Sequence, residues 1–138
     1  MKKSHTKSSA KKLADKWMSI YVRLRDSDKK GIVKCITSRT KLPWREMQCG
    51  HFMSRTHLST RWNEQNTSGQ CAGCNVFRAG RQYEHGKAID KKYGAGTAER
   101  LTRESKMVSK HSIADILTIA DHYKTKAHEE ASKRGITL

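Results

Sequence analysis

The chain has 138 residues, with 29 Lys and Arg against 13 Asp and Glu, for a formal net charge of +16. That length suggests one domain with appendages, and a hydrophobic content of 35% excludes a large core, so a cross-link or a metal would help the chain fold. A small domain this basic repels itself without an anionic partner; nucleic acid is the default partner, whereas no basic amphipathic helix with a bulky apolar face points to a membrane surface and no run of about 18 apolar residues points to a membrane span.

Residues 1–10, "MKKSHTKSSA", are polar and lysine-rich and are predicted to form a basic disordered arm. No apolar segment of signal-peptide type follows, so the expected location is cytoplasmic, where four cysteines read as metal ligands before they read as disulfides. Residues 11–30 form the next unit. Leu13, Trp17, Ile20, Tyr21 and Leu24 recur at spacings of three and four, which predicts one face of a helix ended by "RDSDKKG".

Residues 31–95 form the expected core. "IVKCI" reads as a short strand that carries Cys35 at its edge, and "EMQCGHF" as a second strand with Cys49 and His51 on one side. "CAGCNVF" should open a helix after a polar loop. "RQYEHGKAIDKKYG" continues as helix, with Tyr83, Ile89 and Tyr93 on one flank and Gly94 closing it. Residues 96–138 are an expected helical tail. Its clearest element starts at Ser112, which forms a capping box with Asp115. Ile113, Ile116, Leu117, Ala120, Tyr123 and Ala127 then line a stripe that packs either on the domain or on a second subunit, as in a homodimer through this helix. The whole is read as α+β, a small zinc-stapled core flanked by N-terminal and C-terminal helices.

Cys71 and Cys74, in "CAGC", can grip one tetrahedral zinc from the first turn of a helix. A matching upstream pair would complete the site, but "CITS" offers Cys35 and then Ser38, and serine is a poor zinc ligand. Cys49 is the remaining thiol, so the expected structural Zn2+ site is Cys35, Cys49, Cys71 and Cys74. The alternative leaves Cys49 as a small buried residue, with water or a histidine as fourth ligand.

The order His51, Asn66, then "CAGCN" resembles the HNH nuclease motif, also called the ββα-metal fold. The resemblance implies that His51 is the general base on water, that Asn66 orients its imidazole, and that Asn75 holds a catalytic divalent metal, Mg2+ or Mn2+. Phosphodiester hydrolysis needs such parts: an imidazole takes the proton of water, a second group fixes the ring, and a metal offsets the added negative charge. His57, six residues past His51, is a further candidate metal ligand or an exposed loop residue. Arg39, Arg45, Arg55, Arg61, Arg78 and Arg81 surround the motif and suit phosphate clamps. Trp44 and Trp62 flank it, as stacking platforms or as core.

More specifically, "RLRDSDKKGIVKCITS", "KLPWREMQCGHFMSR", "STRWNEQN", "QCAGCNVFRAG" and "EHGKAIDKKYG" resemble, in that order, the NinG/Rap recombination proteins of lambdoid and related phages over residues 11–95. The resemblance implies a structure-selective endonuclease acting on branched recombination intermediates such as D-loops and Holliday junctions, in the host-cell cytoplasm. Two departures stand out. Ser38 replaces the second thiol of the family's first zinc pair, and Gly50 stands where many HNH enzymes have an acidic metal ligand beside the base. The second departure favours the competing reading, a non-catalytic zinc-stapled nucleic-acid-binding module. A phage structural or assembly protein is a third class, resting on the helical tail alone.

Overall fold

A computed structural model describes residues 4–138. It is an α+β protein in which a pair of long helices supports two small antiparallel sheets and a cysteine-bearing turn. Helix α1 spans Lys7–Arg25. It starts four residues before the unit expected from residue 11, because Thr6 and Ser9 form a reciprocal capping box that satisfies the first free N–H groups. Residues 7–10 of the expected arm are therefore helical, and Ala10 is fully buried; residues 1–3 of that arm lie outside the described residues.

Helix α5, Ile113–Lys133, begins at the Ser112–Asp115 capping box read from the sequence. Its buried residues Ile116, Ala120, Tyr123, Ala127 and Ala131 lie against Ala10, Ala14, Met18, Tyr21 and Val22 of α1. Alanines on both faces let the helices approach closely. The C-terminal ends lie together, where Arg134 donates to the carbonyls of Ser27 and Asp28. The apolar stripe of α5 is thus covered by α1 of the same chain, the first of the two packings read from the sequence. No helix is long and apolar enough to cross a membrane among the described residues.

Strands β1 (Ile32–Lys34) and β2 (Lys41–Pro43) form one hairpin, with Val33 opposite Leu42. Strands β3 (Gln48–His51) and β4 (Thr67–Gln70) form the second pair, with Cys49 opposite Gly69 and His51 opposite Thr67. Between them lies the short helix α2, Leu58–Arg61. All four residues of β4 are buried. Arg25 anchors this strand to α1 by donating to the carbonyls of Glu64 and Thr67, and Asp26 accepts the Gly69 N–H at 2.8 Å. Helix α3 (Gln82–Tyr93) stops at Gly94 and packs on α4 (Thr97–Ser105). Its buried face is His85, Gly86 and Ile89; Tyr83, expected on the packed flank, is 73% exposed.

Candidate metal knuckle and hairpin cleft

Three thiols converge where β1, the end of β4 and the following turn meet. The sulfurs of Cys35, Cys71 and Cys74 all lie within 4.8 Å of one another. Thiolates on one tetrahedral zinc stand about 3.8 Å apart, given Zn–S bonds of about 2.3 Å, so this group can hold a metal ion such as zinc. Burial alone would push the Cys35 thiol up. Hydrogen bonds from Ser38 and Thr37 and from the backbone N–H groups of Cys71 and Ser38 outweigh it and bring the thiol down to about 6. Burial is likewise outweighed at Cys74, which is lowered by Thr37, Ser38 and Arg81. A site that favours thiolates before any cation arrives suits a metal.

Cys49 does not join this group, which corrects the expected four-thiol set. It sits within β3 and packs against the helix-pair core, and burial pushes its thiol up to about 12. The fourth side of the cluster faces Ser38, whose hydroxyl lies 3.5 Å from the Cys71 sulfur and whose N–H points at the Cys35 sulfur at 3.4 Å. Ser38 thus occupies the place of the missing fourth thiol, as a hydrogen-bonding group.

Beside the knuckle opens a cleft of about 720 Å³ whose lining includes His51, Gln48, Asn75, Asp15, Arg23 and Arg55. The Nε2 of His51 lies 3.0 Å from the carbonyl oxygen of Arg61. A carbonyl only accepts, so Nε2 carries the proton and Nδ1 keeps its lone pair. Burial is the main cause that draws the imidazole down to about 4, so the ring is neutral at pH 7. Asn75 lies across the cleft and donates to the side-chain oxygen of Gln48 at 2.7 Å.

Asn66 does not touch His51, which corrects its expected role as the group bonded to the ring. It is fully buried, accepts from the Met53 N–H at 2.8 Å, and donates to the carbonyls of Met53 at 3.0 Å and Thr60 at 3.1 Å. It therefore clamps the loop between β3 and α2. By fixing Thr60 it also fixes the neighbouring Arg61 carbonyl that holds His51. His57 stands apart as well: it occupies the position before α2, where its side chain makes no capping bond, and lies outside the cleft lining.

The arginines separate into two groups. Arg39, Arg45, Arg55 and Arg78 are exposed, with Arg45 stacked 4.4 Å from the Trp44 ring centre and Arg55 at the cleft edge, 3.8 Å from the Asp15 carboxylate. Arg61 is not a free clamp. It is held by Asp15 at 2.6 Å and by the Arg55 carbonyl. Arg81 is half-buried beside Cys74 and Glu84. Trp44 and Trp62 belong to the core, not to a stacking surface.

Asp15 and Arg23, both from α1, are site residues that the sequence reading missed. The Asp15 carboxylate takes two bonds from Arg61 and one from the Trp62 ring N–H. Gly50 also has a physical reason. A Cβ there would stand 2.3 Å from the side-chain oxygen of Gln70, so no acidic residue fits beside His51.

These features define a small, strongly basic α+β protein with a three-thiol knuckle and an imidazole-bearing hairpin cleft. The chain belongs to the bacteriophage lambda NinG protein family, whose model matches residues 1–133, and membership brings a role connected with phage recombination. Neither the curated proteins nor the solved structures provide a match.

Proposed function

We propose that this chain is a metal-dependent endonuclease that cuts branched DNA during phage recombination, on an HNH-like core formed by β3, β4 and the cysteine turn. The observation that carries this reading is the His51 tautomer: Nε2 is committed to the Arg61 carbonyl, so the lone pair on Nδ1 is free in a cleft that Asn75 also lines. His51 then takes the proton of the attacking water at Nδ1 while Nε2–H stays on Arg61. The chain Asp15–Arg61–His51 holds the ring, and Asn66 fixes the loop that bears it.

A divalent ion, Mg2+ or Mn2+, would offset charge on the phosphate and its leaving oxygen. The donor set available for it is the amide oxygens of Gln48 and Asn75, because Nδ1 of His51 serves as the base and the Asp15 carboxylate is neutralised by Arg61. Such a carboxylate-poor set fits an ion that arrives with the DNA phosphate, which completes its oxygen shell. Arg39, Arg45, Arg55 and Arg78 grip the backbone, which selects duplex shape and charge but not base sequence.

The same poverty of carboxylates favours a second reading, a zinc-stapled binding module without catalysis. A plasmid-nicking assay with and without Mg2+ or Mn2+ separates them. Metal-dependent nicking by the wild type and its loss in His51→Ala support the nuclease; no nicking of linear or branched DNA by the wild type supports the binding module.

A further inference from the structure

We propose that the turn Gly73–Phe77 carries a stacking platform for an unpaired nucleobase, with Phe77 as the contact residue; this rests on the DNA-binding part of the reading above. Phe77 is 83% exposed and its neighbour Val76 is 58% exposed. The tryptophans near the site, Trp44 and Trp62, are both buried, whereas Tyr83, six residues after Phe77, is 73% exposed. A bare phenyl ring is costly in water unless something covers it.

The ring is presented on a firm support. Gly73–Phe77 forms a single wide helical turn that starts within the thiol cluster, where the Asn75 N–H bonds the Cys71 carbonyl at 2.8 Å. Directly after Arg78, the residues Ala79, Gly80 and Arg81 all take positive φ, at 50°, 79° and 45°. For Ala and Arg that conformation costs free energy and persists only where the surroundings enforce it. The chain is thus forced out of its helix at the point that leaves Phe77 projecting.

Charge and position identify the occupant. The exposed Arg78 follows Phe77 directly, Arg81 lies at the end of the same segment, and the protein as a whole carries +16. An apolar ring in such a frame suits a partner with a flat π-face and an anionic backbone. A nucleobase on its phosphate chain offers both. Val76 and Asn75, one and two residues before Phe77, line the His51 cleft. A base stacked on Phe77 therefore belongs to a strand whose phosphate enters that cleft. In a linear duplex each base is already stacked on its neighbours, so Phe77 gains little. At a fork or junction the unpaired base is free, and Phe77 turns a charge-driven binder into one that distinguishes branched from linear DNA.

The test is equilibrium binding without added Mg2+ or Mn2+, with the knuckle metal left in place, using full-length wild type, Phe77→Ala and Phe77→Trp. The probes are a linear duplex and a fork of equal length with 2-aminopurine at the first unpaired position. Phe77→Ala should weaken fork binding about 5- to 150-fold, the range that loss of one base–aromatic stack implies, and duplex binding by less than about twofold. Phe77→Trp should keep the fork affinity. Wild type and Phe77→Trp should quench 2-aminopurine, and Phe77→Ala should not. Equal losses on both DNAs, or no loss on either, overturn the proposal. So does a Phe77→Ala protein that binds both DNAs normally but dissociates from dimer to monomer in sedimentation, which would make the ring a contact with a second copy. Because no Mg2+ or Mn2+ is added, the outcome is independent of cleavage. Fork preference lost with Phe77 in a protein that never cuts DNA upholds the platform and sinks the nuclease; cutting by a protein whose fork preference ignores Phe77 does the reverse. A wild type that binds neither probe overturns both.

Discussion

The helix pair and the hairpin-and-knuckle half hold their shapes by different means. Between α1 and α5 the core is apolar and continuous, from Ala10 and Ala14 through Met18 and Val22 to Ile116 and Ala127, with Tyr21 and Tyr123 tying it to the loop at Trp62 and Glu64. Around the thiol cluster, the strands and their connecting turns add the buried Val33, Trp44 and Met47 and the half-buried Leu42 to the cysteines, while Leu24 and Ala131 are lent by the helices. The second half is fixed by polar bonds instead: Asn66 on its loop, Arg25 and Asp26 on β4, Gln70 on Gly80 and Thr37. Directional bonds hold polar groups in defined places, and the candidate chemistry sits in that half. The cost is dependence on a few residues and on whatever metal the knuckle holds.

Breaking the weaker half should have the largest effect. Stripping metal with a chelator, or making Cys74→Ser, should remove about one zinc per chain and open the segment between Cys35 and Arg81 to protease, while the α1–α5 pair resists cutting longest. Structural zinc contributes on the order of 10 kcal/mol in small domains, so no apolar packing there can compensate. Elemental analysis and limited proteolysis check this; a zinc-free protein with an intact knuckle would contradict it.

Asn66→Ala comes next. It leaves the buried N–H and carbonyl of Met53 and the carbonyl of Thr60 without their partner, at a cost of about 3 kcal/mol or more. Urea denaturation should register that loss. Cleavage should fall as well, because the Arg61 carbonyl loses its anchorage.

A smaller effect sharpens the comparison through pH. Both ring nitrogens of His85 are buried without a partner, and burial, aided by the nearby His51, draws its pKa down to about 4. An unfolded histidine binds its proton near pH 6.5. Between those values the unfolded state holds more protons, so stability is full above about 6.5, falls as pH drops, and levels off below about 4. His51 adds a loss of the same sign over the same window. His85→Leu should flatten, without abolishing, the fall in urea midpoint between pH 6.5 and 4.5; an unchanged profile would mean that His85 titrates normally. The smallest effect is expected at Cys49, where Cys49→Ala should keep full zinc occupancy, since its sulfur lies outside the cluster.

The same contrast governs what could be read from the sequence. The stripe and cap of α5 and the Gly94 stop of α3 are local, periodic signals, and they are where the pattern placed them. The early start of α1 escaped because its capping box uses Ser9 rather than the usual Glu or Gln. Spacing brought Cys35, Cys71 and Cys74 together correctly, but treated Cys49 as equivalent. Pairing of Cys49 with Gly69 inside the hairpin keeps it apart, whereas Cys71 stands just past the end of β4. Asp15 left no trace, because it reaches the cleft from a helix far away in the chain and its partners Arg61 and Trp62 reveal it only in three dimensions. Asn66 was given the wrong partner: residue order cannot distinguish a bond to the ring from a bond to the loop that carries the ring's acceptor.

The central claim is that His51 acts as a base whose Nδ1 is left free by its bond to the Arg61 carbonyl. Single-turnover cleavage of a saturating branched DNA in Mg2+ or Mn2+, comparing wild type with His51→Ala, tests it most directly. The account predicts that His51→Ala keeps its zinc, its unfolding free energy in urea at pH 7 to within about 1 kcal/mol and its DNA affinity, while the rate of cutting falls about a hundredfold to ten-thousandfold. Cleavage by His51→Ala at the wild-type rate, or loss of its zinc, would contradict it.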